Sequence, residues 1–321
     1  MTLPLADLAA ILPELIVVAA ACLVPDGHDR HYDAWHPFWD LTPLAWSPTR
    51  LHGGSPSNQA RVVRYPVCAL RYWFMYHLIH KEFLAQQRPL SFCEVGVGTG
   101  QMLSFMRTGE TPGECGPLPA FIETWDAMSH RVDDARLAAI GYSRCFSHNV
   151  EDPDLVLPRQ YDVLILLHIL EHLHDPEKVF AKLLPFVREG GLIIGGFPGL
   201  PHVMCRSRER RLRQSAESFG HVSAFSPRRV RMLAKRNALS LELLTGAYLF
   251  RKNGFILEHH GWWTRLNLLF GALFPGWPGE LYWAMRKPAA SHARPEARAT
   301  RHAPLVTETG ERMANERATR T

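Results

Sequence analysis

The six cysteines of this 321-residue chain lie far apart and form no C-x-x-C pair, so neither a zinc knuckle nor a disulfide framework is expected. A reducing cytoplasm is the simplest setting for them. A long hydrophobic run is also missing. The apolar stretch from Leu5 to Val24 is broken by Asp7, Pro13 and Glu14, which leaves only Leu15 to Val24 uninterrupted, well short of the ~20 residues a spanning helix needs. No Lys or Arg precedes Arg30, so the basic flank of a signal peptide is absent. Residues 1–30 are expected to form an apolar, amphipathic helix. It packs on the protein or on a surface, with a membrane anchor and peripheral contact with the inner membrane face as the other readings. No internal repeat is visible.

Charge is scarce as well: 21% of residues are charged and 46% hydrophobic, a balance that excludes a wholly disordered chain. The net charge of +5 is unevenly placed. The segment from Arg206 to Arg236 carries ten Lys/Arg against Glu209 and Glu217, and the polar tail 287–321, expected to be disordered, carries seven Lys/Arg against four Glu. No nucleic-acid-binding motif accompanies the basic segment, so no nucleic-acid partner is expected. Arg206, Arg210 and Arg213 share a helical face, with Arg208 and Arg211 elsewhere. The segment reads as a solvated helix, or as an anion or membrane-surface site.

Three regimes follow one another. Residues 31–88 are aromatic and Pro-rich, from Tyr32 through Trp73 to Phe83, and end in an expected helix over Val67 to Gln86; they read as an extension or lid over the next domain. From Leu90 to about Gly199, apolar runs alternate with helical stretches, the pattern of β-α-β units. The expected strands are Leu90–Val95, Ala120–Trp125, Arg144–Ser147, Tyr161–Leu167 and Leu192–Phe197, with a further pair near Leu239–Phe250 and Leu281–Arg286. Asp175 before Pro176 and Ser226 before Pro227 have the chemistry of helix N-caps. After Val187, Gly190-Gly191 is expected to separate a helix from the fifth strand.

The most specific feature is Glu94-Val95-Gly96-Val97-Gly98-Thr99-Gly100, in which a buried-strand pattern enters a glycine loop and then a helical run. A dinucleotide fingerprint starting at Gly96 needs Gly or Ala at position 101, where Gln101 stands, so an NAD-dependent enzyme is the less favoured reading. His168 and His172 are four apart, but Ile169 occupies the position that a helical H-E-x-x-H fills with Glu. No metal site is expected.

The E-x-G-x-G-x-G spacing resembles motif I of the class I S-adenosylmethionine-dependent methyltransferases. The resemblance runs from residue 90 to about 226. The stretch Tyr161 to Pro176 and the segment Gly220 to Pro227 are similar to the branch that contains the ubiquinone-biosynthesis methyltransferases. It implies an α/β, Rossmann-like methyltransferase fold over 89–286, with a mainly parallel seven-stranded sheet and helices on both faces. It also implies S-adenosylmethionine as cofactor, with Glu94, Gly96, Gly98 and Gly100 in the motif and Asp126 on the ribose hydroxyls, two carboxylate oxygens suiting a vicinal diol. Asn149 takes the adenine position, where the family often has an acid, with Asp152 as the competing candidate, and Leu167 and His168 complete the cofactor set. His172 then falls near the reacting sulfonium, where it takes a proton from a hydroxyl acceptor or fixes the turn by hydrogen bonding; His221 is the second catalytic candidate. The implied reaction is O-methylation of a small-molecule, glycan or lipid-linked acceptor. An inactive, binding or scaffold version of the fold is the alternative.

Overall fold

A computed structural model of the chain describes residues 40–45, 63–107, 118–214, 220–252 and 254–289. The expected N-terminal helix of residues 1–30 and nearly all of the tail 287–321 lie outside them. Leu90–Val95 (β1) and Tyr161–Leu167 (β4) are mostly apolar runs, the pattern of strands covered on both faces, and every residue of β1 is buried, Ser91 and Glu94 included. With Ile122–Ser129 (β2), Arg144–Ser147 (β3), Val187–Gly199 (β5), Ser240–Gly246 (β6) and Gly279–Arg286 (β7) they form one sheet in the order β3-β2-β1-β4-β5-β7-β6. The pairings among β1 to β5 are parallel, and β7 runs antiparallel to both β5 and β6. This is the mainly parallel seven-stranded sheet that the sequence implied.

Four of the seven strands differ from their expected bounds, β2 and β5 with the most consequence. β2 does not stop at Trp125 but continues to Ser129, with Cys93 opposite Asp126 and Val95 opposite Met128. A polar Asp inside a strand reads as an end, yet the apolar pattern resumes beyond it at Ala127 and Met128. β5 begins at Val187, which pairs with Tyr161, and Gly190, at φ +75°, sits where the register with β4 is irregular. The glycine pair therefore bends a strand instead of ending a helix.

Helices cover both faces. Leu70–Gln86 (α1), Gln101–Met106 (α2), Asp134–Ile140 (α3) and Gly261–Leu273 (α7) contribute to one apolar cluster; Pro176–Leu183 (α4) and Pro227–Arg236 (α6) contribute to the other. The caps form as the sequence demanded: Asp175 Oδ1 accepts from the Lys178 N–H at 3.1 Å, and Ser226 Oγ from the Arg229 N–H at 3.3 Å. His202–Gln214 (α5) is different, since of its residues only Cys205 is buried. None of the described helices is long and apolar enough to cross a membrane.

Candidate active site

The loop after β1 owes its shape to glycine. Gly96, Gly98 and Gly100 have φ of +76°, +55° and +79°, the left-handed region that disfavours residues with a Cβ. At Gly96 a Cβ would also stand 2.9 Å from Ile169 Cδ1, so the loop and the exit of β4 touch only because that atom is missing. At Gly98 a Cβ would meet nothing within 4 Å, so the main chain there is open to approach. β1 has β2 on one side and β4 on the other, and the sheet's chain order reverses there, the place where open α/β sheets form a crevice. A cleft of about 820 Å³ occupies it.

Four of the sequence-derived residues line this cleft: Gly96, Gly98, Asn149 and His172. Asn149 also shapes its own loop, its Oδ1 accepting from the Glu151 N–H at 3.0 Å. The six others lie elsewhere. Glu94 is buried beneath the loop, where its Oε2 accepts from Trp125 Nε1 at 3.0 Å and from the Tyr142 hydroxyl at 2.7 Å. Burial pushes its carboxyl up to about 7 in spite of those two bonds. Gly100 is buried against α3. Leu167, at the end of β4, packs against the apolar core.

Asp126 requires a correction. It is fully buried within β2, three residues short of the strand's end, and its Oδ2 accepts from Arg159 at 2.9 Å and from the Tyr161 hydroxyl at 2.8 Å. At the end of β2 the cleft is lined instead by Ser129 and His130. Sequence reasoning passed over both because it looked for an acid. The parallel register could have found them, since whatever lies opposite Val95 must begin the strand's exit.

His168 is turned away from the cleft as well. Its Nδ1 lies 3.0 Å from Glu171 Oε1 and its Nε2 3.7 Å from Glu280. Burial opposes its charge, but the hydrogen bonds to the two carboxylates hold its pKa above the ordinary histidine value. Nor does the described part of the aromatic extension form a lid. α1 packs on the sheet, Phe74 stacking on Tyr282 at 4.3 Å, and no residue of 40–45 or 63–88 lines the cleft.

His172 and His221, 49 residues apart in sequence, meet with ring centroids 4.7 Å apart in a T-shaped contact. His172 Nδ1 faces the Gly220 carbonyl oxygen at 3.3 Å. Burial lowers the pKa of His221 and outweighs the opposite pull of Glu171. His221 does not line the large cleft but a second cavity of about 350 Å³ beside it. Glu171, which sequence reasoning left unassigned, joins the pair: one ligand atom each from Glu171, His172 and His221 lie within 4.8 Å of one another.

A family model described as a methyltransferase domain matches residues 69–243. The N-methyltransferase NodS from Bradyrhizobium japonicum WM9, in complex with S-adenosyl-L-homocysteine, is similar over 78% of this chain and 100% of its own, at 12% identity and a TM-score of 0.45. The magnesium protoporphyrin IX methyltransferase ChlM from Synechocystis PCC 6803, with bound SAM, is similar over 81% of this chain and 92% of its own, at 11% identity and a TM-score of 0.41. No curated protein matches the chain by sequence.

Proposed function

The chain belongs to the methyltransferase domain family, with S-adenosylmethionine as its cofactor, and from that premise we propose that it O-methylates a small-molecule hydroxyl acceptor whose proton passes to His172. The residues of the cleft fit the cofactor. The open space over Gly98 lets a ligand lie against the main chain as no side chain would permit. Ser129 and His130 at the end of β2 would take the ribose hydroxyls, in place of Asp126, and Asn149 the adenine amino group. Bound there, S-adenosylmethionine supplies an electrophilic methyl group on sulfur.

The observation that carries the reading is the placement of His172 in the cleft wall, backed by His221. A carbonyl oxygen only accepts, so the His172 Nδ1 facing Gly220 carries the hydrogen and the basic lone pair is at Nε2. Burial disfavours the charged form of His221, the ring that packs against His172. As the acceptor oxygen bonds the methyl carbon, the C–S electron pair stays on sulfur and the hydroxyl proton goes to His172.

The triad of Glu171, His172 and His221 also favours a second reading, in which a divalent cation held there lowers the pKa of the acceptor hydroxyl. Activity after removal of divalent ions with a chelator, then with magnesium restored, separates the two.

His172→Gln is expected to lower kcat by ~100-fold or more while the affinity for S-adenosylhomocysteine stays within about threefold. Turnover is followed with methyl-labelled cofactor and cell extract as the acceptor source. A variant with undiminished kcat, or labelled product carrying the methyl on nitrogen or carbon, would overturn the reading. Calorimetry that detects NAD and not S-adenosylmethionine would remove its premise.

A further inference from the structure

The strip 220–224 divides two cavities. Gly220 and Val222 line the large cleft, whereas His221, Ser223 and Ala224 line the smaller one, the alternation expected of extended backbone. The strip is anchored from behind: the N–H groups of Val222 and Ser223 donate to the Glu171 carbonyl at 2.8 and 3.0 Å, and Ser223 Oγ donates to the Leu173 carbonyl at 2.8 Å. The smaller cavity, at the low end of the range for small-molecule pockets, therefore begins where the histidine pair ends.

Two arginines and one carboxylate line it. Arg208 and Arg211, three apart and so on one side of α5, both line it. The neighbouring basic and acidic groups are already engaged. Arg229 pairs with Glu177 and Glu209, Glu209 also accepts from the Ala224 N–H at 3.1 Å, and Arg213 donates to the carbonyls of Val222 and His174. Arg208 has no carboxylate within ion-pair distance among the described residues, whereas Arg211 has an interaction of its own. The acid that lines the cavity, Glu171, is itself buried, with His168 Nδ1 3.0 Å from its Oε1. Leu200, Met204 and Leu212 supply apolar wall between the arginines and the histidines.

We propose that this cavity holds the anionic end of the acceptor and so selects a small anionic hydroxy compound, its carboxylate or phosphate held by Arg208 and Arg211 while its hydroxyl end passes His221 to reach His172 in the large cleft. The proposal rests on the O-methyltransferase reading for the fate of the hydroxyl, but the anion site itself does not need turnover to be seen. Guanidinium groups take carboxylate and phosphate through paired charge-assisted hydrogen bonds, and such anchoring fixes which end of the molecule faces the methyl donor.

The test uses the full chain saturated with S-adenosylhomocysteine and two probes, benzoate and phenyl phosphate, with binding followed by ligand-observed NMR titration. Arg208→Gln/Arg211→Gln is expected to weaken binding of at least one probe by about tenfold or more. Arg206→Gln/Arg210→Gln removes the same charge from the same helix outside the cavity and is expected to leave it unchanged. Unaltered S-adenosylhomocysteine affinity and melting temperature certify both folds. Equal weakening in the two double variants, or none in the first, would overturn the site. Flotation with phosphatidylcholine vesicles, with and without phosphatidylglycerol, separates the sources of the anion. Retention that depends on phosphatidylglycerol and on Arg208 and Arg211, with neither soluble probe bound, assigns the anion to a lipid headgroup and keeps the site. Probe binding through the arginines alongside an active His172→Gln variant would sink the O-methyl reading and leave the anion site standing.

Discussion

Glu94 illustrates how one residue type serves a different end from the one its motif suggests. The acid of E-x-G-x-G-x-G does not reach the cleft; it ties β1 to Trp125 and Tyr142 beneath the loop. Both bonds go to one oxygen, so an amide can keep them. The carboxyl is raised from 4.5 to about 7 by burial, which means that folding opposes its ionisation. Below about pH 4.5 it is protonated folded or unfolded and imposes no cost. Between that pH and about 7 the unfolded chain ionises first, so native stability falls, and above about 7 the cost levels off near ~3 kcal/mol. Glu94→Gln should therefore gain on the wild type as pH rises, by roughly 2 kcal/mol between about pH 5 and pH 8 in urea unfolding. A constant difference across that window would mean that the carboxylate is already ionised in the fold.

The glycine loop is an element whose members answer to different constraints. At Gly96 the neighbour decides, because Ile169 occupies the space a side chain would need; at Gly98 the space is free and only φ objects. Placing a non-glycine residue at such a φ costs ~1–2 kcal/mol, a fall of a few degrees in melting temperature for a domain of this size. Gly98→Arg is thus expected to fold, to lose no more than those few degrees, and to lose S-adenosylhomocysteine binding altogether, since its side chain must enter the cleft. Calorimetry beside thermal unfolding checks both halves, and retained binding would show that the ligand does not lie against this loop. α5 makes the complementary point. Helical periodicity grouped Arg206, Arg210 and Arg213 as its basic face, yet Arg208 and Arg211 are the pair in the cavity, because the helix lies with that side toward the end of β5.

Across the whole molecule, the two ends of the described chain are joined through a buried charge. Glu280, at the start of β7, is fully buried and meets Arg71 of α1 at 3.0 Å and Arg251 at 2.7 Å, with the Tyr282 hydroxyl donating to it. Burial opposes its ionisation, but His168, Arg71 and Arg251 together hold its carboxyl well below the usual carboxylate range. Removing one partner of such a group leaves the others uncompensated, at a cost of ~3–5 kcal/mol. Glu280→Gln should lower the melting temperature by roughly 6–20 °C and raise amide hydrogen exchange in α1 more than in β1 and β2. Exchange that rises uniformly along the chain would argue against a specific tie between the extension and the sheet.

The sequence by itself determined the class of fold, the bounds of three of the seven strands to the residue, the caps at Asp175 and Ser226 and the loop Gly96 to Gly100. All of these depend on local chemistry: short runs rich in strand-forming residues, side chains that accept from a free N–H, and φ values open to glycine. It also singled out His172 and His221 separately. Their contact had to wait for the tertiary structure, because it depends on the Gly220–Ala224 strip docking on the carbonyl of Glu171. The same is true of Asp126, which the sequence placed at a strand's end and the register of β1 and β2 buries inside it, and of Ser129, His130, Arg208 and Arg211. Which side chain reaches a cavity is fixed by pairing register and by the rotation of a packed helix, and both are set by contacts between residues far apart in the chain.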